Sequence, residues 1–129
     1  MEFVVRARVG TFQPNADVFV DEERGHVVAV IEVAGADAET LRIGFDGRYL
    51  VIAGRRVEVA RARRGSFVQK EIAHGEFLKR IPLPVAIEYD RISATYEDGL
   101  LIVVAPIAVT AYVPTARTEL QVMVKRTHR

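Results

Sequence analysis

The sequence predicts an all-β protein, an antiparallel β-sandwich, and three observations support this prediction. Short runs rich in Val, Ile, Phe and Tyr recur along the chain, and apolar residues alternate in several of them, as in strands that bury one face. Turn residues separate these runs at near-regular spacing. Helical periodicity is nearly absent. A chain of 129 residues fits a single domain with one such core.

The predicted strands are joined by recognisable turns. Asp46-Gly47 and Asp98-Gly99 each lie between two runs, and these residues tolerate the positive φ that tight hairpins need. Pro14 and an acidic turn bound the first run. Residues 37–40 predict a single helical turn. The predicted strands are residues 17–21, 27–33, 41–45, 49–53, 77–81, 92–96 and 100–105.

Three stretches do not fit a sandwich strand, and they set the domain organisation. Residues 1–13 form a short N-terminal arm, residues 14–106 the sandwich domain and residues 107–129 a C-terminal extension. Inside the domain, residues 57–73 are longer than a hairpin loop needs, which indicates a function.

Composition argues against several classes of function. The 18 Lys and Arg against 17 Asp and Glu leave a net charge of +1, so nucleic-acid binding through bulk charge is not expected. The chain has no cysteine, so it has no disulfide or thiolate, and we expect a cytoplasmic location. No run reaches the ~18 apolar residues of a membrane span. The first twelve residues do not resemble a signal peptide.

Residue patterns for catalysis are missing from the sequence. His26, His74 and His128 lack metal-ligand spacing, which favours surface or hydrogen-bonded histidines. The carboxylates at 21–23 and 97–98 lie at turns, where solvated side chains are commoner than acid/base pairs. Neither a nucleophile elbow nor a phosphate-binding glycine loop occurs. We predict no enzyme activity, no cofactor and no metal.

Five motifs follow one another along residues 14–106. They read PNADVF from residue 14, VAG from 33, LVIAGRR from 50, EIAHGEFLKRIPLP from 71 and ATYEDGLLIVVAP from 94. They are similar to P-x-x-D-V-x-E, L-P-G, L-x-I-x-G-x-R, E-R-x-x-G-x-F-x-R-x-F-x-L-P and A-x-x-x-x-G-V-L of the small heat-shock proteins, prokaryotic type. The resemblance implies the immunoglobulin-like β-sandwich of an alpha-crystallin domain, with a short N-terminal arm and a C-terminal extension.

The resemblance also suggests a role for residues 57–73. In prokaryotic and plant members, a loop at this place is exchanged between protomers and adds a strand to the partner's sheet, which gives a two-fold dimer. A solvated loop is the alternative, and nucleic-acid binding is disfavoured because only Phe67 lies near the arginines. The predicted strand-swap residues are Ser66, Phe67 and Val68, with Arg61, Arg63 and Arg64 as polar contacts.

Family members carry an I-x-I-like pair that fills an apolar groove of a neighbouring dimer. Here Leu120, Val122 and Val124 alternate onto one face and are the predicted C-terminal plug. Residues 107–109 are a competing candidate, and packing of the tail on its own domain is the alternative. The groove that receives the plug or a client is predicted to be lined by Leu41, Ile43 and Phe45 on one side and by Ile102 and Val104 on the other.

The implied function is that of an ATP-independent holdase, which covers the apolar surface of unfolding client proteins and prevents their aggregation. Client contacts are predicted from the groove and from the arm, through Phe3, Val4, Val5 and Phe12. The partners are clients and other copies of the chain, in a dimer or a larger oligomer, with no nucleic acid and no membrane. The alternative is a co-chaperone-like sandwich that docks on a folded partner.

Overall fold

Nine strands make up the fold in the residues that the computed structural model describes, which are 12–109, 119–120 and 122–124. Every predicted strand is confirmed, with ends shifted by a few residues, and residues 38–40 form the predicted turn as a short 3-10 helix. The strands are β1 (Asn15–Asp21), β2 (His26–Glu32), β3 (Arg42–Asp46), β4 (Tyr49–Arg56), β5 (Gly75–Pro82), β6 (Ser93–Glu97), β7 (Leu100–Pro106), β8 (Glu119–Leu120) and β9 (Met123–Val124).

The strands form two sheets, as predicted for a sandwich. The five-stranded sheet has the order β1-β2-β7-β6-β9, and the four-stranded sheet has the order β5-β4-β3-β8. All pairs of strands are antiparallel except β6 with β9. Only short 3-10 helices occur within the described ranges, and none is long and apolar enough to cross a membrane.

The two Asp-Gly pairs behave differently at the hairpins. Asp98 and Gly99 both have positive φ, 54° and 77°, and form the whole two-residue turn between β6 and β7. At the other hairpin, Asp46 still pairs with Tyr49 in the ladder, so the turn consists of Gly47 and Arg48. The predicted turn at Asp46-Gly47 is therefore displaced by one residue.

The core lies between the two sheets and follows the alternation of the strands. In β7, Leu101, Val103 and Ala105 are buried while their neighbours are not, and β2 alternates in the same way. Fully burying a Leu or Val side chain contributes about 1.5–3 kcal/mol to the free energy of unfolding. Glycine is required at residue 54, because a Cβ there would lie 2.6 Å from the ring of Phe77.

Candidate functional site

The tail covers the side of the sandwich on which β3 and β6 would otherwise be edge strands. Leu120 pairs with Ile43 in antiparallel register, and Val124 pairs with Tyr96 in parallel register. Between these pairs, Val122 is half-buried and packs against the core cluster. One short segment thus closes the opening between the two sheets.

One wall of this groove is β3, the strand that the sequence predicted. Leu41, Ile43 and Phe45 are buried in the core cluster, and β3 offers its outer edge to the tail. These side chains face the space between the sheets, so they form the floor of the groove.

The second wall corrects the sequence prediction. β7 is hydrogen-bonded to β2 on one side and to β6 on the other, so it is not an edge strand. Because its odd-numbered residues face the core, Ile102 and Val104 point to the outer face of the sheet. The groove wall is β6 instead, through Thr95 and Tyr96. The hairpin at residues 98–99 indicates that β6 lies beside β7, but only the order of strands in the sheet shows that β6 is the outer of the two.

The predicted plug residues contact their own chain in this structure. For Leu120 and Val124 only the backbone pairing is described, and Val122 packs as stated above. The competing segment 107–109 is held elsewhere, because the Ile107 amide donates to the Gly25 carbonyl at 2.9 Å and Ile107 bridges to Ile87. Of these two segments, the described tail residues 120 and 122–124 reach the groove, and residues 107–109 do not. A plug between subunits stays a prediction.

The predicted strand-swap residues lie together on an exposed loop. Arg63, Arg64, Ser66, Phe67 and Val68 are all exposed, and residues 66–68 belong to no strand in the described chain. For Arg61 the backbone alone is described. The Phe67 side chain is 54% exposed and Val68 is fully exposed. Large apolar side chains grouped in this way mark an interaction surface.

Side-chain contacts hold both ends of the loop formed by residues 57–73, although its tip, residues 63–68, is exposed. Lys70 forms an ion pair with the Glu58 carboxylate, and His74 Nδ1 lies 3.9 Å from the same oxygen. Arg56 donates from Nε to the Ala73 carbonyl at 2.9 Å. The exposed tip therefore projects from loop ends that these contacts hold in place.

Phe12 is the one predicted arm residue that the structure describes; Phe3, Val4 and Val5 lie outside the described residues. Phe12 is half-buried, bridges to β5, and its ring centre lies 5.2 Å from that of Phe77. Sequence reasoning missed Arg56, which lies over the Phe12 ring and closes the LVIAGRR motif. Phe12 is thus an anchor of the arm on the domain.

On the other side of the sandwich, β1 is the edge strand of the five-stranded sheet. Among the described residues it pairs with β2 only. Val18, Phe19 and Val20 are exposed there, beside the carboxylates of Asp17 and Asp21. The backbone amide of Arg24, and then its guanidinium, donate to Asp21 and hold the pKa of this carboxyl below its ordinary value. An unpaired edge strand of this kind is a template for another strand.

Metal chemistry has no candidate in the part of the chain that is described, which contains no group of three or more His, Asp and Glu side chains able to hold an ion. The His74 side chain lies beside the Glu58 carboxylate, and its Nδ1 has no hydrogen-bond partner. The site consists of strand edges, apolar side chains and charges at their rims, which suits binding of polypeptide.

Comparisons with known proteins agree with this geometry. The profile of the Hsp20/alpha crystallin family matches residues 18–125. The chain is 27% identical over 101 residues to a probable 15 kDa heat shock protein of Leptospira interrogans, covering 78% of this chain and 75% of that protein. It is 29% identical over 121 residues to heat shock protein 16 of Schizosaccharomyces pombe, covering 90% and 78%.

Among solved structures, heat shock protein 16.0 from Schizosaccharomyces pombe superposes with a TM-score of 0.68 at 27% identity, covering 81% of this chain and 94% of that one. The family match spans both sheets and the tail strands, apart from the first three residues of β1, and Phe12 lies outside it. Small heat shock proteins are chaperones and not enzymes. The chain therefore belongs to the Hsp20/alpha crystallin family of small heat shock proteins.

Proposed function

We propose that this chain is an ATP-independent holdase that binds unfolding client proteins and keeps them from aggregating. The observation that carries the proposal is that the C-terminal tail covers the groove through very short strand pairings. The edges of β3 and β6 are each paired with a strand of only two residues, β8 and β9. Because these paired strands are so short, the tail can dissociate from the groove and bind to it again.

Release of the tail presents two kinds of binding surface at once. A hydrogen bond contributes only about 0.5–1.5 kcal/mol net, so the few bonds of β8 and β9 form a weak latch. Without them, two strand edges and the apolar floor around Ile43 become available. Unfolding proteins expose extended apolar segments, and such segments bind by adding a strand to a sheet edge.

Self-association is the second part of the proposal. The loop tip of one copy, with Phe67 and Val68, is complementary to the β1 edge of another copy. The apolar residues of the loop meet the exposed residues 18–20, and Arg63 and Arg64 meet Asp17 and Asp21. The same exchange in both directions gives a two-fold dimer. Plugging of the tail into a neighbouring groove would add larger assemblies, and a cytoplasmic location fits a chain without cysteine.

Light scattering of a heat-labile client protein, without ATP, tests the holdase activity directly. We expect dose-dependent suppression of scattering near stoichiometric ratios and no change on adding ATP. No suppression at any ratio would contradict the proposal. A pull-down for folded partners would then test the alternative, a co-chaperone-like sandwich that docks on a folded partner.

A locked tail tests whether the groove is the client site. Thr95 and Met123 are register partners, and the chain has no other thiol to interfere with a Thr95→Cys, Met123→Cys pair. The oxidised protein should protect the client less well than the same protein after reduction, which is its own matched control. Equal protection in both states would show that clients do not bind in the groove, but it would not contradict the holdase activity itself.

A further inference from the structure

The outer face of the five-stranded sheet carries an apolar patch, and the proposed dimer contact touches it only at its β1 border, at Phe19 and Asp17. We call it the outer patch. The register places Phe19 beside Val28 and Val28 beside Val104, and in the next row Val30 lies beside Ile102. All are at least partly exposed, and Phe19 is 51% exposed. Contiguous apolar side chains on a solvent face mark a binding surface.

Carboxylates frame the outer patch, and cations are missing from its strands. Asp17 lies opposite Val30 in the register, while Glu32 and Glu97 flank Leu100 at one end of the patch. Strands β1, β2, β6 and β7 contain no Lys or Arg. The surface is therefore apolar at its centre and negative at its rim, and it fits a polypeptide segment that is both apolar and cationic.

We propose that the outer patch is the docking surface of the chain's own residues 1–11. This segment contains Phe3, Val4, Val5 and Val9, with Arg6 and Arg8 among them. The end of the chain, residues 125–129, is cationic but has no large apolar side chain. A second copy of the outer patch is disfavoured, because the carboxylate rims would face each other.

The anchor at Phe12 puts the segment within reach. An extended chain spans at most ~3.6 Å per residue, so Val5, seven residues before Phe12, can lie up to about 25 Å from it. Strands lie about 4.8 Å apart and packed sheets about 10 Å apart, so the distance from β5 around the sandwich to Ile102 is shorter than that. A docked segment keeps Phe3, Val4 and Val5 from contact with other proteins, so the outer patch and clients compete for it.

Disulfide trapping in the full-length chain tests the docking, because the natural sequence has no cysteine. One variant carries Val5→Cys with Ile102→Cys in the outer patch. Its matched control carries Val5→Cys with Tyr49→Cys, which is exposed on the outer face of the other sheet. We expect the intrachain disulfide to form at least about tenfold faster in the first variant, because docking raises the effective concentration of the two thiols.

The double change Arg6→Glu, Arg8→Glu should cut that rate advantage, and it does so without altering any residue of the sandwich. Equal rates at Ile102 and Tyr49 would overturn the proposal, as would a disulfide that forms only between chains. Every readout concerns the arm alone and is independent of client protection.

Discussion

The guanidinium carbon of Arg56 lies 4.1 Å from the centre of the Phe12 ring. The same guanidinium donates to the Ala73 carbonyl at the end of the loop and to the Ala34 carbonyl after β2. One side chain thus joins the arm, the loop and the turn that follows β2. The arm and the loop both have proposed partners, and Arg56 couples their positions.

Replacing Arg56 should loosen both segments together. Arg56→Ala removes the cation over Phe12 and the hydrogen bonds to two carbonyls, which should lower the free energy of unfolding by about 2 kcal/mol. Limited proteolysis should then cut faster both before residue 12 and within residues 57–73. The neighbouring Arg55→Ala, an exposed side chain, is the matched control. Faster cutting in the loop alone would show that the arm does not depend on Arg56.

Gly54→Ala should destabilise the sandwich through a steric clash. The new Cβ would lie 2.6 Å from Cζ of Phe77 and 2.9 Å from Cδ2 of Leu41. Overpacking of this kind costs about 1–3 kcal/mol, which urea denaturation measures. The same change in a Phe77→Leu background should cost less, because the ring has gone. Equal costs in the two backgrounds would place the clash elsewhere.

Val68→Asp should weaken the dimer without weakening the fold. Val68 is fully exposed in the single chain, so the change should alter the free energy of unfolding of the monomer by less than about 0.5 kcal/mol. A buried aspartate at the proposed contact should raise the dimer dissociation constant at least about tenfold in sedimentation experiments. Val109→Asp, also fully exposed but outside the loop, is the control. An unchanged dissociation constant would exclude Val68 from the interface.

Val122→Asp should release the tail from the groove. Val122 packs against the core cluster, and a carboxylate there loses hydration without a partner. Hydrogen exchange should then speed up in β3 and β6, at residues 43–44 and 95–96, which pair with the tail. Val122→Ile keeps the apolar contact and should leave exchange unchanged. Unaltered exchange in the aspartate variant would mean that another segment protects these edges.

Asp21 should make the first hairpin sensitive to acid. Its pKa is lowered from the ordinary value of 3.8, chiefly because the Arg24 amide donates to it. A lowered pKa means that the stabilisation is complete above pH 3.8 and is lost as the pH falls through the folded-state pKa. Asp21→Asn should therefore flatten the pH dependence of thermal unfolding below pH 4, which ~0.3-unit steps would resolve. An unchanged profile would show that the turn does not contribute.

Local chemistry explains how much of the fold the sequence predicted. The alternation of residues 100–105 and the Asp-Gly pair at 98–99 concern neighbours along the chain, so the sequence predicts strands and turns to within about three residues. The five motifs indicated the family for the same reason, because each consists of residues that are neighbours along the chain. The function of a holdase and the dimer remain proposals that rest on these motifs and on exposed residues such as Phe67.

Sequence alone thus determined the strands, the hairpins and the family of this protein, because period-two patterns and turn residues act locally. Tertiary structure alone decided which strands are edges. Alternation groups Ile102 with Val104, but only the sheet order shows that they face outward and that Tyr96 borders the groove. It also decided that Val122 covers its own chain and that Arg56 holds Phe12, because these contacts join residues far apart in sequence.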